Sequence, residues 1–289
     1  MLPWQDRSGR LAPLKLLVFV GLLAPGLWLL GRTLAGDLGA RPYNEAIQFV
    51  GLWTIRLVFL SLAVTPLRKL LTWQRLVTVR RMVGVAACGY ALLHLSLYAV
   101  DQNLDLGHVA SEIALRYYLL IGFTALIGLV VLGATSTDGA IRRLGKRWRR
   151  LHRLVYPIAV VALVHFFLQS KLNVTEPVLM AGLLVWLLGF RVLARRRIPG
   201  PAALAALALG AAVATAAIET AWYAVATGAM PLRVLAANLD VSYGLRPALW
   251  VLIVTLGVAL LVLGRKALKR ARPWLASIGA RLDEAREPS

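Results

Sequence analysis

Eight stretches of this chain are each long and apolar enough to cross a bilayer, and that pattern removes most of the folds open to 289 residues. The hydrocarbon core is about 30 Å thick, so a spanning helix needs about 20 predominantly apolar residues. Such runs fall at roughly 14–30, 47–66, 82–100, 115–134, 154–169, 177–193, 202–226 and 247–264. Inside hydrocarbon, backbone polar groups must be satisfied within the protein, which leaves helices or closed barrels. Runs of this length predict helices, and with them an all-α, polytopic membrane protein. Composition agrees: 59% of residues are hydrophobic, 16% are charged and the mean hydropathy is +0.71. A soluble domain carries roughly a quarter charged residues.

The net charge of +20 could suggest a nucleic-acid partner, so its distribution has to decide. With the N-terminus placed in the cytoplasm, 26 of the 33 basic residues, from Arg7 through the C-terminal tail, fall on the cytoplasmic side. Six fall outside and Arg56 alone lies within a span. This is the asymmetry that membrane insertion demands. It predicts eight crossings with both termini in the cytoplasm and no nucleic acid. The long first apolar run, without a small-residue cleavage site, is expected to stay as a span. A single cysteine, Cys88, excludes an internal disulfide and any Cys-rich metal or iron–sulfur site, and reads as a small core residue. Composition shifts at Ile198–Pro201, which sets the expected boundary between a six-helix domain (1–197) and a C-terminal extension (198–289) with two spans and a short polar tail from Leu275.

The chemistry-bearing residues are histidines. His94 lies about twelve residues into the third span, or about 18 Å along the helix, and His165 lies as far into the fifth, which runs in the same direction. The two rings are therefore expected at one depth, in the outer half of the bilayer. An ionisable ring in hydrocarbon implies a function or a partner. The plainer alternative is that each ring hydrogen-bonds to a neighbouring helix. A shared ligand is the sharper one. Zinc usually recruits Cys, carboxylates or a third His, and copper favours Cys or Met; these spans offer no such set. Two imidazoles on opposite faces of an apolar macrocycle need nothing more, so bis-histidine haem b fits best.

His152 stands at the cytoplasmic edge among Arg149, Arg150 and Arg153, thirteen residues before His165, with Pro157 between them. It is either a partly solvated surface histidine or a ligand to a second, inner haem. The position opposite it on the third span holds Arg80, then Arg81, and no histidine. His108 follows His94 by fourteen residues, but Asp101, Gln102, Asn103 and Asp105 intervene, so it reads as a loop histidine. Arg56, mid-span, needs a partner: a haem propionate, a backbone carbonyl or a water-filled crevice.

Three segments carry a resemblance: "TSTDGAIRRLGKRWRRLHRLVY" (Thr135–Tyr156), "RRMVGVAACGYALLHLSLY" (Arg80–Tyr98) and "VTPLRKL" (Val64–Leu70). Over roughly residues 10–195 the chain resembles the MsrQ (formerly YedZ) family, the haem-binding membrane subunits of the bacterial protein-methionine-sulfoxide reductase system, within the ferric-reductase-like transmembrane proteins. The resemblance implies that His94 and His165 are paired axial haem ligands. It implies that His152 is a third haem-linked histidine, with Arg80 or Arg81 opposite and one haem or two in all. It also implies an inner-membrane electron conduit to MsrP, a periplasmic molybdenum enzyme that reduces methionine sulfoxide in oxidised proteins. Electrons in the family are attributed to the quinone pool or to a cytosolic flavin reductase, and FMN is associated with the subunit. The helix pair after Ile198 departs from the family's usual six spans.

The function expected is thus electron transfer, with the substrate-reducing site on the partner and no catalytic site in this chain. Two rivals stand beside it. One is a stand-alone ferric reductase or quinol-oxidising b-type cytochrome. The other is a haemless transporter or anchor using its histidines as proton relays.

Overall fold

Pro13, Pro42, Pro201 and Pro247 each open a long helix, at the position where a missing N–H is harmless and a fixed φ is already helical. The computed structural model describes residues 2–5, 8–242 and 244–284. Arg7 and the last five residues, 285–289, counted above in the basic and polar flanks, lie outside them. The described residues form α1 (Pro13–Leu34), α2 (Pro42–Leu70), α3 (Val77–Asp101), α4 (Leu106–Leu115), α5 (Tyr117–Ala134), α6 (Asp138–Leu144), α7 (Lys146–Leu151), α8 (Val155–Ser170), α9 (Thr175–Leu193), α10 (Pro201–Thr227), α11 (Pro231–Ala237) and α12 (Pro247–Glu284). One isolated bridge, Gln5–Leu11, is the β-structure among them. Eight helical segments are long and apolar enough to span a membrane, as the hydropathy pattern predicts. The protein is an all-α, multi-pass membrane protein. Its apolar side chains are widely exposed, Leu17, Leu27, Leu209 and Val213 among them, as a hydrocarbon solvent permits.

The chain divides into two compact units, Met1–Met180 and Ala181–Ser289, with the division inside α9. In the first, α2 packs along α3 and α5 along α8, while α3 lies against both α1 and α5. A buried cluster of Leu29, Leu38, Ala46 and Val50, with Phe49, Tyr90 and Leu97 around it, joins α1, α2 and α3. Pro25 interrupts the hydrogen-bond ladder of α1, and one turn of that helix is completed from α3. The Tyr90 hydroxyl accepts from the Gly26 N–H (2.9 Å) and donates to the Leu22 carbonyl (2.8 Å).

In the second unit, α10 packs along α12 and against α11. Gly182 and Gly189 bring the rest of α9 close to this pair: a Cβ at Gly182 would collide with Thr215 and Val251, and one at Gly189 would come 2.5 Å from Leu207. Small residues at such crossings let helix backbones approach in lipid. The segment from Leu275, expected as a polar tail, continues α12 as helix to Glu284.

Candidate functional site

The first unit brings two of the four histidines together. His94 comes from α3 and His165 from α8, and their ring centroids are 6.4 Å apart with planes at 83°. Each ring is held in the same way. Nδ1 of His94 donates to the Ile47 carbonyl of α2 (2.9 Å), and Nδ1 of His165 donates to the Tyr118 carbonyl of α5 (2.8 Å). A carbonyl can only accept, so each bond requires the proton on Nδ1. In the neutral ring Nε2 then carries the lone pair. The hydrogen bond to a neighbouring helix, the plainer alternative for these rings, is therefore present. It engages Nδ1 of each ring and leaves the lone pair on Nε2.

The pair can be tested against a shared metal. An imidazole–metal bond of about 2 Å, plus about 1.2 Å from nitrogen to ring centre on each side, separates the centroids by about 6–6.5 Å. The observed 6.4 Å fits. A metal-bound histidine also usually donates its other N–H to a carbonyl or carboxylate, which fixes tautomer and orientation. Among the described residues no three His, Cys, Asp or Glu side chains gather into a chelate for a bare ion. The donor set suits a metal whose remaining positions are filled by a macrocycle, as in haem.

His152 lies apart from this pair. It occupies a 3-10 turn, His152–Leu154, between α7 and α8. An ideal-helix phase between His152 and His165 does not apply across that turn. Its ring stacks on Trp148 at 3.9 Å and 25°. Nδ1 donates to the Trp148 carbonyl (3.2 Å), and Nε2 is 3.3 Å from the Ser136 hydroxyl. Trp148 in turn donates to the Thr135 carbonyl (2.8 Å), so the "TST" and "W…LH" segments are tied to one another. Arg80 is near enough for its charge to act on His152, and Arg81 pairs with Asp138. The basic segment between α5 and α8 forms two short helices, α6 and α7, broken at Gly145 (φ +50°).

Arg56 is partnered within the chain: its guanidinium bonds Glu176 at 2.8 Å and lies 5.4 Å from the Trp53 ring. His108 sits in the short helix α4, whose N-terminus Asp105 caps through the His108 N–H, and not in a loop. Cys88 is buried, against Gly133. Sequence reading missed Ile47, Gly51, Tyr118 and Gly122, which hold the rings. An apolar "IQFVG" or "YLLIG" inside a span gives no sign that its carbonyl or glycine is used.

A membrane helix bundle with two neighbouring imidazoles in its interior defines the class: a multi-pass membrane protein, whose residues 50–163 match the Ferric reductase like transmembrane component. That match contains His94 and His152 and ends just before His165. Full-length relatives narrow it further. The Rhodospirillum rubrum protein-methionine-sulfoxide reductase heme-binding subunit MsrQ is 44% identical over 202 residues, 68% of this chain and 95% of the relative. The proteins of the same description from Azospira oryzae (38% over 201 residues, 68% of this chain and 86% of the relative) and Polaromonas naphthalenivorans (41% over 198 residues, 65% and 90%) agree. This chain belongs to the MsrQ family. No solved structure matches it.

Proposed function

We propose that this chain is the haem b-binding membrane subunit of a protein-methionine-sulfoxide reductase system and passes electrons across the membrane to a partner that reduces the substrate. One observation carries the reading: the His94–His165 pair, 6.4 Å between ring centres, with both Nδ1 protons engaged by backbone carbonyls. The description printed for the relatives supports it. His94 and His165 would hold the haem, which would supply one-electron ferric/ferrous chemistry. The Ile47 and Tyr118 carbonyls fix the tautomer of each ring and raise its basicity as a ligand. Arg56 is available to a propionate through whatever donor capacity Glu176 leaves. His152, with Arg80 and Arg81, forms an inner-side contact where a second haem would be held.

The charge asymmetry supports an inner-membrane location with both termini in the cytoplasm. On that topology a periplasmic MsrP-type reductase takes the electrons. A cytosolic flavin reductase, with FMN, or the quinone pool supplies them. Residues 1–197 serve as the haem-binding domain and 198–289 as an extension to it.

The test is a dithionite-reduced spectrum of the purified protein, with a pyridine haemochrome titration for wild type and for His94→Ala, His165→Ala and His152→Ala. A b-type α band that is lost in the first two variants is expected. Reconstitution with an MsrP-type partner should then oxidise the reduced protein. A wild type without that band, or a His165→Ala variant with unchanged haem, overturns the reading.

A further inference from the structure

The two histidines dock on their neighbouring helices by one repeated device. On α2, Ile47 supplies the carbonyl and Gly51 stands one turn later; a Cβ built on Gly51 would lie 3.0 Å from both Cε1 and Nδ1 of His94. On α5, Tyr118 supplies the carbonyl and Gly122 stands one turn later; its Cβ would lie 2.6 Å from Cε1 and Nδ1 of His165 and 2.9 Å from Cγ. Each carbonyl precedes its glycine by four residues and its histidine by 47. The two segments share only the glycine, so the repeat lives in the helix geometry and not in the residue pattern.

The four-residue offset has a physical cause. In an α-helix the Cα–Cβ bond tilts toward the N-terminus, so the side chain of residue n+4 overlies the carbonyl of residue n. Any Cβ at position 51 or 122 would stand where the imidazole must lie to reach that carbonyl with its Nδ1 proton. An imidazole is rigid, and here it is fixed by its own helix. At Gly122 a methyl group therefore displaces the ring and breaks the hydrogen bond, while at Gly51, with a 3.0 Å contact, the ring must give by a few tenths of an ångström.

We propose that Gly51 and Gly122 are positioning residues for the axial ligands, two equivalent halves of one clasp, each keeping open the space that sets its histidine's tautomer and height. The inference rests on the haem-ligand reading above and adds to it residues that touch no cofactor.

The test compares glycine-to-alanine variants of the full chain, purified in detergent, by haem-to-protein ratio, ferric electron paramagnetic resonance and redox midpoint potential. Gly122→Ala, the tighter site, should lose most of its haem or turn high-spin. Gly51→Ala should keep haem with an altered low-spin signal and a shifted potential; should Gly122→Ala not fold, this variant alone decides. Gly84→Ala and Gly89→Ala, on α3 with open space where the Cβ would go, should match wild type. Gly128→Ala separates positioning from packing: its Cβ would lie 2.7 Å from Ile158, between the same two helices as Gly122 but away from the ring. It should lower thermal stability and leave the spectrum alone. Wild-type spectra and potential in a folded Gly122→Ala or Gly51→Ala, or an equal spectral change in Gly128→Ala, overturn this inference alone. A haem-free wild type overturns it together with the ligand reading.

Discussion

Arg56 and Glu176, 120 residues apart in sequence, form a 2.8 Å ion pair that ties the middle of α2 to the first turn of α9. The second carboxylate oxygen of Glu176 is buried and has no hydrogen-bond partner, and among the described residues Arg56 is the cation paired with Glu176. Both side chains keep more than a third of their exposure, Arg56 34% and Glu176 39%, which places the pair between a surface bridge and a buried one. Arg56→Ala strands the carboxylate and is expected to cost about 1–3 kcal/mol, below the range for a fully buried pair. Glu176→Gln should cost less, and the double variant should recover part of the loss. Thermal unfolding in detergent reads all three. Additive losses in the double variant would show that the pair is not coupled.

On the proposed haem ligation, the 83° between the planes of His94 and His165 would bear on the ferric spectrum. Perpendicular axial imidazoles do not favour either of the two iron dπ orbitals that point along them. The orbitals stay nearly degenerate, and the low-spin signal is strongly anisotropic. The wild type is expected to show that large-g signal. A rhombic signal of the parallel-ring type would mean that a ring turns on ligation, which the Ile47 and Tyr118 hydrogen bonds oppose.

Tyr90 closes the α1 ladder beside Pro25, accepting from Gly26 and donating to Leu22. Tyr90→Phe keeps the ring and removes both bonds, leaving a helix N–H and a carbonyl unpaired in an apolar setting. The expected loss is about 1–3 kcal/mol. Because α1 meets the bundle chiefly through α3, limited proteolysis should cut the α1–α2 connection faster in this variant than in wild type. Equal cutting would show that α1 docks by packing alone.

The helices were legible in the sequence because hydrocarbon imposes one demand on every span, and apolar length answers it. His94 and His165 were legible for the related reason that an ionisable ring stands out where it is costly. What holds them was not legible. Ile47 and Tyr118 act through carbonyls, which every residue has, and Gly51 and Gly122 act by lacking a side chain. The 3-10 turn at His152 has no sequence mark of its own, since Pro157, the nearest helix-breaking residue, lies after it inside α8. Arg56 announced its need for a partner, but Glu176 sits near a helix start, where a carboxylate is unremarkable in sequence.

In the second unit Glu219 is a buried carboxylate, 3% exposed, in the body of α10. Asn238, just after α11 and 4% exposed, donates from Nδ2 to Glu219 (2.9 Å) and to the Val234 carbonyl (3.1 Å). Arg246, just before α12, approaches the other carboxylate oxygen at 3.8 Å. Three elements thus meet on one negative charge, and Asn238 supplies its shorter contact. Asn238→Leu keeps the branched outline of the side chain but removes that donor, leaving the carboxylate to a longer, partly exposed ion pair. The expected cost is about 2–4 kcal/mol. Glu219→Leu combined with Asn238→Leu should cost less than the two single losses added together, because it removes the stranded charge along with its donor. Unfolding midpoints of the full chain in detergent measure both, and an Asn238→Leu variant as stable as wild type would place the support of Glu219 on Arg246 instead.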